Sequence, residues 1–409
     1  MAQMIKQRIA DIQRGNIPAG YRKTKSGIIP DTWSCCQPKE IFSGKSIKNN
    51  DSELPVLSVT QENGVMLRSE MDKDISYKED SVSSYKRVDI GDFVISLRSF
   101  EGGIEYSQCQ GVVSPAYTIF SHSEDVDGNY YKYYFKTDFF INNLNTAVYG
   151  IRDGKQIGFQ DFSNLFIHRP PQKEQRRIAE ILGCCDRVIA LKKELIAEKK
   201  KQKKALMQKL LNPDSGFRLP GFSGEWKKDV LGSFIDLISG VDFSTEDLLS
   251  DNSFTPYLTG ASNIDNNTLI LNRWVVDPKN IALKNDILVV CKGSGVGAMI
   301  IMPIQKAHIA RQFMAIRVHP TSSNKYIYYI LQNSFERIRN EAQGLIVGID
   351  RGTILKLNVA MPDKEEQQAI ADILSAADKE IDLLEQELAQ QEQKKKSLMQ
   401  LLLTGIVRV

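Results

Sequence analysis

Residues 362–403, PDKEEQQAIADILSAADKEIDLLEQELAQQEQKKKSLMQLLL, have a second copy at residues 170–211, PPQKEQRRIAEILGCCDRVIALKKELIAEKKKQKKALMQKLL. A shift of 192 positions lays one on the other without a gap. Pro170 falls on Pro362, Glu174 and Gln175 on Glu366 and Gln367, and Ile178-Ala179 on Ile370-Ala371. Farther on, Asp186 falls on Asp378, Lys203-Lys204 on Lys395-Lys396, and Leu206-Met207-Gln208 on Leu398-Met399-Gln400. A match this long identifies an internal duplication. Within each copy the apolar positions step by four and three, the spacing of a coiled-coil seam. The seam runs through Ile178, Leu182, Ile189, Ile196, Leu206 and Leu210 in the first copy, and Ile370, Leu374, Ile381, Leu388, Leu398 and Leu402 in the second. Lys192, Lys199 and Lys203 fall on the same seam and predict a polar layer that sets register. The alternative is a pair of amphipathic helices on separate cores, for which the seam is too long and too narrow.

At about 1.5 Å per residue each helix is roughly 60 Å long. The domain between them, residues 212–361, would be only about 35–40 Å across. Parallel helices would pull its two ends too far apart, so an antiparallel pair is expected. Charge agrees: 170–211 carries twelve Lys and Arg against five Asp and Glu, and 362–403 carries five against ten. Oppositely charged helices select each other. This pairing predicts Lys199–Lys204 facing Glu365, Glu366 and Asp372, and Lys394–Lys396 near Glu174 and Glu180.

The rest of the chain falls into place around this pair. Residues 1–19 form an N-terminal helical arm, 20–169 a first globular domain, 170–211 helix one, 212–361 a second globular domain, 362–403 helix two and 404–409 a tail. The two domains share tokens in one order. A Gly- and Pro-bearing lead-in reaches Trp33 or Trp226; Pro55-Val56-Leu57-Ser58 answers to Pro256-Tyr257-Leu258-Thr259; and Gly91-Asp92 or Asn285-Asp286 opens an apolar strand. Short β-branched runs with helical stretches at 130–143 and 325–341 read as α+β. The expected fold is two pseudo-repeated α+β domains on an antiparallel coiled coil, a dumb-bell with a pseudo-two-fold axis.

Composition is that of a soluble protein: 409 residues, 42% hydrophobic and 25% charged. No run of 18 apolar residues suggests a membrane span, and residues 1–14 are amphipathic rather than a signal peptide. Six Cys without a Cys-x-x-Cys pattern are expected to be reduced thiols in a cytoplasmic protein. No catalytic pattern in the sequence is complete. Gly44-Lys45-Ser46 has Lys39 where a phosphate-binding loop needs its first glycine. Gly293 to Gly297 is followed by a second strand pattern instead of a helix, which predicts a hairpin. The amino-methyltransferase motif is absent, the four His have no metal-ligand spacing, and Pro362-Asp363 with Glu365 suits a helix N-terminus.

A duplicated, two-headed chain without a catalytic motif has the organisation of a ruler. It resembles the specificity subunits of Type I restriction-modification enzymes. The resemblance rests on the Pro-x-x-x-Glu-Gln-x-x-Ile-Ala-x-Ile-Leu pattern at Pro170 and Pro362, the Leu-Met-Gln-x-Leu-Leu pattern at Leu206 and Leu398, the lead-in at Gly20–Pro30 and the ending Thr404–Val409. It implies that each globular domain is a target recognition domain reading one half of a gapped sequence in double-stranded DNA, with the helices as spacer. It also implies two methyltransferase subunits docked along the helices and restriction/translocase subunits joined through them. S-adenosylmethionine, ATP and Mg are then expected on those partners, with no cofactor, metal or catalytic residue in this chain.

The reading residues are sought at strand ends and loops: Lys86, Arg87, Arg98, Ser99, Arg152 and Lys155 in the first domain, and Lys292, Ser294, Arg311, Gln312 and Arg351 in the second. The partner surface is expected at the helix starts, on Glu174, Gln175, Arg176, Arg177, Glu366, Gln367 and Gln368, read as exposed. Neither domain is basic: residues 1–169 carry 20 basic against 21 acidic side chains, and 212–361 carry 15 against 14. Phosphate neutralisation supplies most non-specific DNA affinity, so weak binding by the isolated chain is expected. A coiled-coil adaptor with protein- or glycan-binding ends is the alternative from another class.

Overall fold

The computed structural model describes residues 2–48, 54–60, 64–71, 84–95, 103–148, 158–265, 267–293, 295–341 and 348–409. The chain divides into two compact units, Met1–Lys192 with Glu387–Val409, and Lys193–Gln386. Each is α+β and each is built on the same sheet plan. In the first unit four antiparallel strands lie in the order Phe42–Lys45, Thr118–His122, Phe93–Ile95, Ile104–Tyr106. In the second the order is Ile235–Ser239, Phe313–Val318, Ile287–Val290, Met299–Ile301.

The strand-opening turns explain why these segments start where they do. Gly91 and Asn285 sit at φ +95° and +73°, a left-handed conformation that Gly adopts freely and Asn more readily than most residues. The aspartate that follows closes the turn. Asp92 Oδ2 accepts from the Asp89 amide at 2.8 Å, and Asp286 Oδ2 from the Leu283 amide at 2.8 Å. Each then binds a cation across the sheet, Lys45 at 2.6 Å and Arg317 at 2.8 Å.

The two cores differ in chemistry around this common plan. The first is aromatic: Phe42, Phe93, Phe120, Phe135 and Phe162 are all buried in one connected cluster, with Phe42 edge-on to Phe120 at 5.4 Å. The second is mainly aliphatic, centred on Ile287, Val289, Ile316, Ile327 and Leu331. Both close over the ends of the two long helices, Gln172–Leu210 and Lys364–Leu403. The first core includes Ile178 and Leu182 with Leu402 and Leu403. The second includes Met207 and Leu210 with Ile370 and Leu374. Thus within each unit the start of one helix lies by the end of the other, which is antiparallel pairing.

Burial along the helices follows the four-three spacing. Ile178, Leu182, Ile196, Leu210, Ile370, Leu374, Ile381 and Leu402 are buried; Ile189, Leu206, Leu388 and Leu398 are half-buried. Between them the seam lysines are paired, Lys192 with Glu387 at 2.6 Å, Lys199 with Glu380 at 2.6 Å and Lys203 with Asp378 at 2.5 Å. Lys200 meets Glu385, Lys204 meets Glu336 and Lys395 meets Asp186. The sequence placed these lysines against the helix starts instead. The correction has a physical cause: Glu366 is taken by Arg218 and Glu174 by Arg408, and the helix ends are sunk in the cores, so the lysine runs meet acids farther along.

Exposed ion pairs contribute about 0.2–1 kcal/mol each. Reversing Lys199 and Lys200 to Glu replaces two attractions by repulsions against Glu380 and Glu385 and should cost roughly 1–2 kcal/mol in urea melts. Adding Glu380→Lys and Glu385→Lys should restore most of it. Failure of that rescue would show that the pairs are incidental.

Unit one also carries the chain ends. The Tyr21 hydroxyl donates to the Gly405 carbonyl at 2.7 Å, and the Arg8 guanidinium to that of Ile406. Its lead-in forms a hairpin, Tyr21–Thr24 with Gly27–Pro30, docked by the Ser26 carbonyl on His168. The shorter lead-in of unit two, residues 216–225, forms no strand. A groove of about 860 Å³ lies in this unit between Leu211, Lys228, Ile330 and Ala360.

Candidate nucleic-acid interface

In unit two the buried strand Ile287–Val290 delivers the chain to Cys291, whose thiol burial pushes up to about 12. A glycine-bearing hairpin follows. The Gly297 amide donates to Val290 O at 2.9 Å, and φ is +89° at Gly293 and +88° at Gly297. The Cys291 amide donates to Gln312 O at 2.7 Å, which sets the 311–312 turn beside 291–293. Gln312 lies so close over Gly260 that a Cβ there would come within 1.9 Å of its Oε1. Any larger residue at 260 would displace the amide. Arg311 is held by Asp242, through its amide at 2.9 Å and Nε at 2.7 Å, while remaining 74% exposed. Lys292 and Gln312 are exposed as well.

The structure therefore brings Lys292, Arg311 and Gln312 together at one end of a sheet. Lys, Arg and amide side chains are the groups that read base edges and phosphates. Arg351 is placed differently: its Nη1 donates to Leu237 O at 3.0 Å and Ser239 Oγ at 2.9 Å, which ties it to the first strand. Ser294 lies outside the described residues.

In unit one, Lys86 and Arg87 already have protein partners. Lys86 Nζ donates to Tyr117 O at 2.9 Å and Arg87 Nε to Asp89 at 2.9 Å. Burial would raise the Asp89 carboxyl, but hydrogen bonds from Lys45, Gln110 and Arg87 outweigh it and hold Asp89 well below the usual carboxylate range. Arg98, Ser99, Arg152 and Lys155 lie outside the described residues.

At the helix starts Arg176, Arg177 and Gln368 are exposed, whereas Glu174, Gln175, Glu366 and Gln367 are buried. This corrects the expectation of exposure for those four. Gln175 bridges Pro170 O and the Asp127 amide at 2.7 and 2.8 Å; Gln367 bridges Pro362 O and the Ser323 amide at 2.8 Å each. They satisfy backbone groups that burial would otherwise orphan. Glu174 accepts from Trp33 Nε1 at 2.9 Å and from Arg408 at 2.6 and 2.7 Å. Glu366 takes Arg218 at 2.9 and 2.6 Å. The pairing of Trp33 and Arg408 with Glu174, and of Arg218 with Glu366, was not read from the sequence, because the partners are far apart along the chain.

Two histidines are structural. His308 accepts from the Lys279 amide at 3.1 Å through Nδ1, so Nε2 carries the proton and donates to Val241 O at 2.6 Å. Burial lowers its pKa, as it does that of His168. An unfolded chain takes up these protons near pH 6.5, the folded chain only at lower pH. Stability present above that value is therefore lost as pH falls below it. Urea midpoints measured from pH 7 to 5 should decline, and less steeply in His308→Gln; equal slopes would refute the assignment.

Among the described residues no group of His, Cys, Asp and Glu could hold a metal ion, and no helix is long and apolar enough to cross a membrane. A family model for the Type I restriction modification DNA specificity domain matches residues 30–200 and again residues 223–393. The MjaX type I restriction enzyme specificity subunit of Methanocaldococcus jannaschii is 23% identical, over 95% of this chain and 97% of its own. The MjaVIII specificity subunit of the same organism is 26% identical over 61% and 63%. Two solved structures share the fold. One is a chain from work on complex assembly and conformational transition of the type I R-M system, with TM-score 0.64, 15% identity, and 93% and 99% of the chains covered. The other is the S subunit of a Type I restriction-modification system from M. genitalium, with TM-score 0.57, 16% identity, and 91% and 96% covered. With its two matched domains taking up most of its length, this chain belongs to the Type I restriction modification DNA specificity family and is a specificity subunit.

Proposed function

We propose that the chain addresses a methyltransferase and restriction complex to DNA, each head reading one half of a gapped target and the two helices serving as spacer. The observation that carries this is the recurrence of one domain plan twice, each copy built on opposite ends of the same two helices. A repeated reader carried on the same two helices suits two half-sites at a fixed gap. In the second head Lys292, Arg311 and Gln312 are the reading set. Both heads are near neutral in charge, so the isolated chain binds DNA weakly and partner subunits supply many phosphate contacts. Family membership favours this reading over the alternative of a coiled-coil adaptor with protein- or glycan-binding ends.

Methyltransferase subunits dock along the helices, and S-adenosylmethionine, ATP and Mg belong to the partners. Leu191 and Leu383, equivalent under the 192-residue shift, are 64% and 52% exposed. Paired exposed leucines on a duplicated helix suit a partner that binds twice. Leu191→Asp with Leu383→Asp should reduce methyltransferase co-purification at least about ten-fold without lowering the Tm, since neither side chain is buried. Unchanged co-purification would remove this surface.

The test of the whole reading is co-expression with the cognate methyltransferase subunit, followed by mapping of methylated bases. Two short half-sites at one fixed gap, methylated only when this chain is present, are the expected result. No new methylation would overturn the reading.

A further inference from the structure

Each unit contains the same three-residue clasp. In unit one the Tyr133 hydroxyl donates to Asp186 Oδ2 at 2.6 Å, and Lys395 Nζ binds Asp186 Oδ1 at 2.5 Å. The same ammonium lies 5.5 Å from the Tyr133 ring centroid. In unit two Tyr329 donates to Asp378 Oδ2 at 2.7 Å, Lys203 binds Asp378 Oδ1 at 2.5 Å, and its ammonium lies 5.4 Å from the Tyr329 ring. The aspartates and the lysines are equivalent under the 192-residue shift, with their helices exchanging roles. In each clasp the tyrosine comes from a head helix, the aspartate from the long helix that follows that head, and the lysine from the other long helix.

We propose that these six side chains are positioning residues: each clasp fixes the angle at which its head leaves the helix pair, and thereby the separation at which the two half-sites are read. This rests on the spacer reading above. Three elements converge on one carboxylate, each of its oxygens takes a different donor, and the two donors also touch each other through the ring. Apolar packing of the same elements would hold them together but tolerate rolling. A directional hydrogen bond, an ion pair and a cation–π contact that share members admit one geometry. Half-exposed ion pairs add little net stability, so cohesion alone does not call for this chemistry. Burial first, then the adjoining carboxylate, raises the pKa of both phenols, so they remain donors at physiological pH.

The precision is of the right size. One base pair of gap is about 3.4 Å of rise and about 35° of rotation. At the end of a head about 35 Å across, a tilt of roughly 6° moves the reading surface by that rise.

The test uses the full complex with its methyltransferase subunits on duplexes carrying both half-sites at the native gap and at gaps one base pair shorter and longer. Tyr133→Phe, Tyr329→Phe and the double variant are compared with wild type for methylation rate at each gap and for Tm. The double variant should lower the preference for the native gap at least about ten-fold, with Tm and the bases recognised in each half-site unchanged. An unchanged gap preference would overturn the clasps alone, as would an equal loss at every gap accompanied by a fall in Tm. Wild-type complex that methylates without any gap requirement would overturn the spacer reading, and the clasps with it. Should the tyrosine variants fail to fold, Lys203→Arg with Lys395→Arg keeps the charge and changes the geometry, and is held to the same outcomes.

Discussion

Replacing Glu174 by alanine should destabilise the first unit by about 3 kcal/mol, the cost of stranding a buried donor and unpairing a charge. The carboxylate is 6% exposed and serves two clients. One is the Trp33 indole N–H, on a side chain that is 1% exposed and that water cannot reach once its acceptor is gone. The other is Arg408, which lies 5.8 Å from the same indole and binds both carboxylate oxygens. Arg408 is partly open to solvent, which keeps the cost at the low end of the range for broken buried pairs. Glu174 also lies in the first turn of its helix, where the backbone dipole favours a negative charge. For a unit of this size each kcal/mol moves the Tm by roughly 2–4 °C, so a fall of about 6–12 °C is expected. Glu174→Gln keeps an acceptor for the indole and should lose about half as much. A change below about 1 kcal/mol in Glu174→Ala would show that the helix start is anchored elsewhere.

Glu174 also marks where reading the sequence stopped short. The duplication was visible because the seam positions are local: Ile370, Leu374 and Ile381 follow one another at helical spacing, and that spacing alone marks the face that is buried. The partners of Glu174 are Trp33 and Arg408, and that of Glu366 is Arg218. Nothing local distinguishes such residues from the solvated acids common at helix starts. A usable signal was nevertheless present. Glu-Gln is identical in both copies, whereas the next two positions are Arg176-Arg177 in one and Gln368-Ala369 in the other. Solvent-facing positions in a duplicated segment are free to drift apart, while buried polar ones are held by their partners.

Charge complementarity likewise identified the helix partners without fixing their register. Net charge is insensitive to a slide along the axis. Register is fixed by which apolar ends sink into which core, Leu210 with Ile370 in one unit and Ile178 with Leu402 in the other. In the heads, the turn at Asn285-Asp286 and the strand after it were legible from Asn, Asp and the β-branched run. The closeness of Cys291 to Gln312 was not, because it depends on the pairing of two strands whose connection the sequence does not specify.

That closeness carries the second large effect. Lys292→Ala with Gln312→Ala should relax base selection in one half-site and leave the other untouched. A bidentate amide or a well-placed cation contributes about 1–3 kcal/mol of discrimination against a wrong base, or roughly 5- to 150-fold in relative methylation. The positions are fit for this because both are exposed, Lys292 just past the buried strand Ile287–Val290 and Gln312 just before its neighbour Phe313–Val318. Arg311, by contrast, shares its charge with Asp242, so Arg311→Ala should lower methylation less than Gln312→Ala. Methylated-base mapping with the co-expressed methyltransferase distinguishes two ways of contacting DNA. Base readers produce degeneracy at one or two positions of a single half-site. Phosphate contacts produce a uniform fall with a shallower salt dependence. Because each head has its own sheet and core, degeneracy confined to one half-site would assign that half to residues 212–361. Degeneracy in both halves would mean that the heads are not independent readers, and no change in either would place the reading surface away from this strand end.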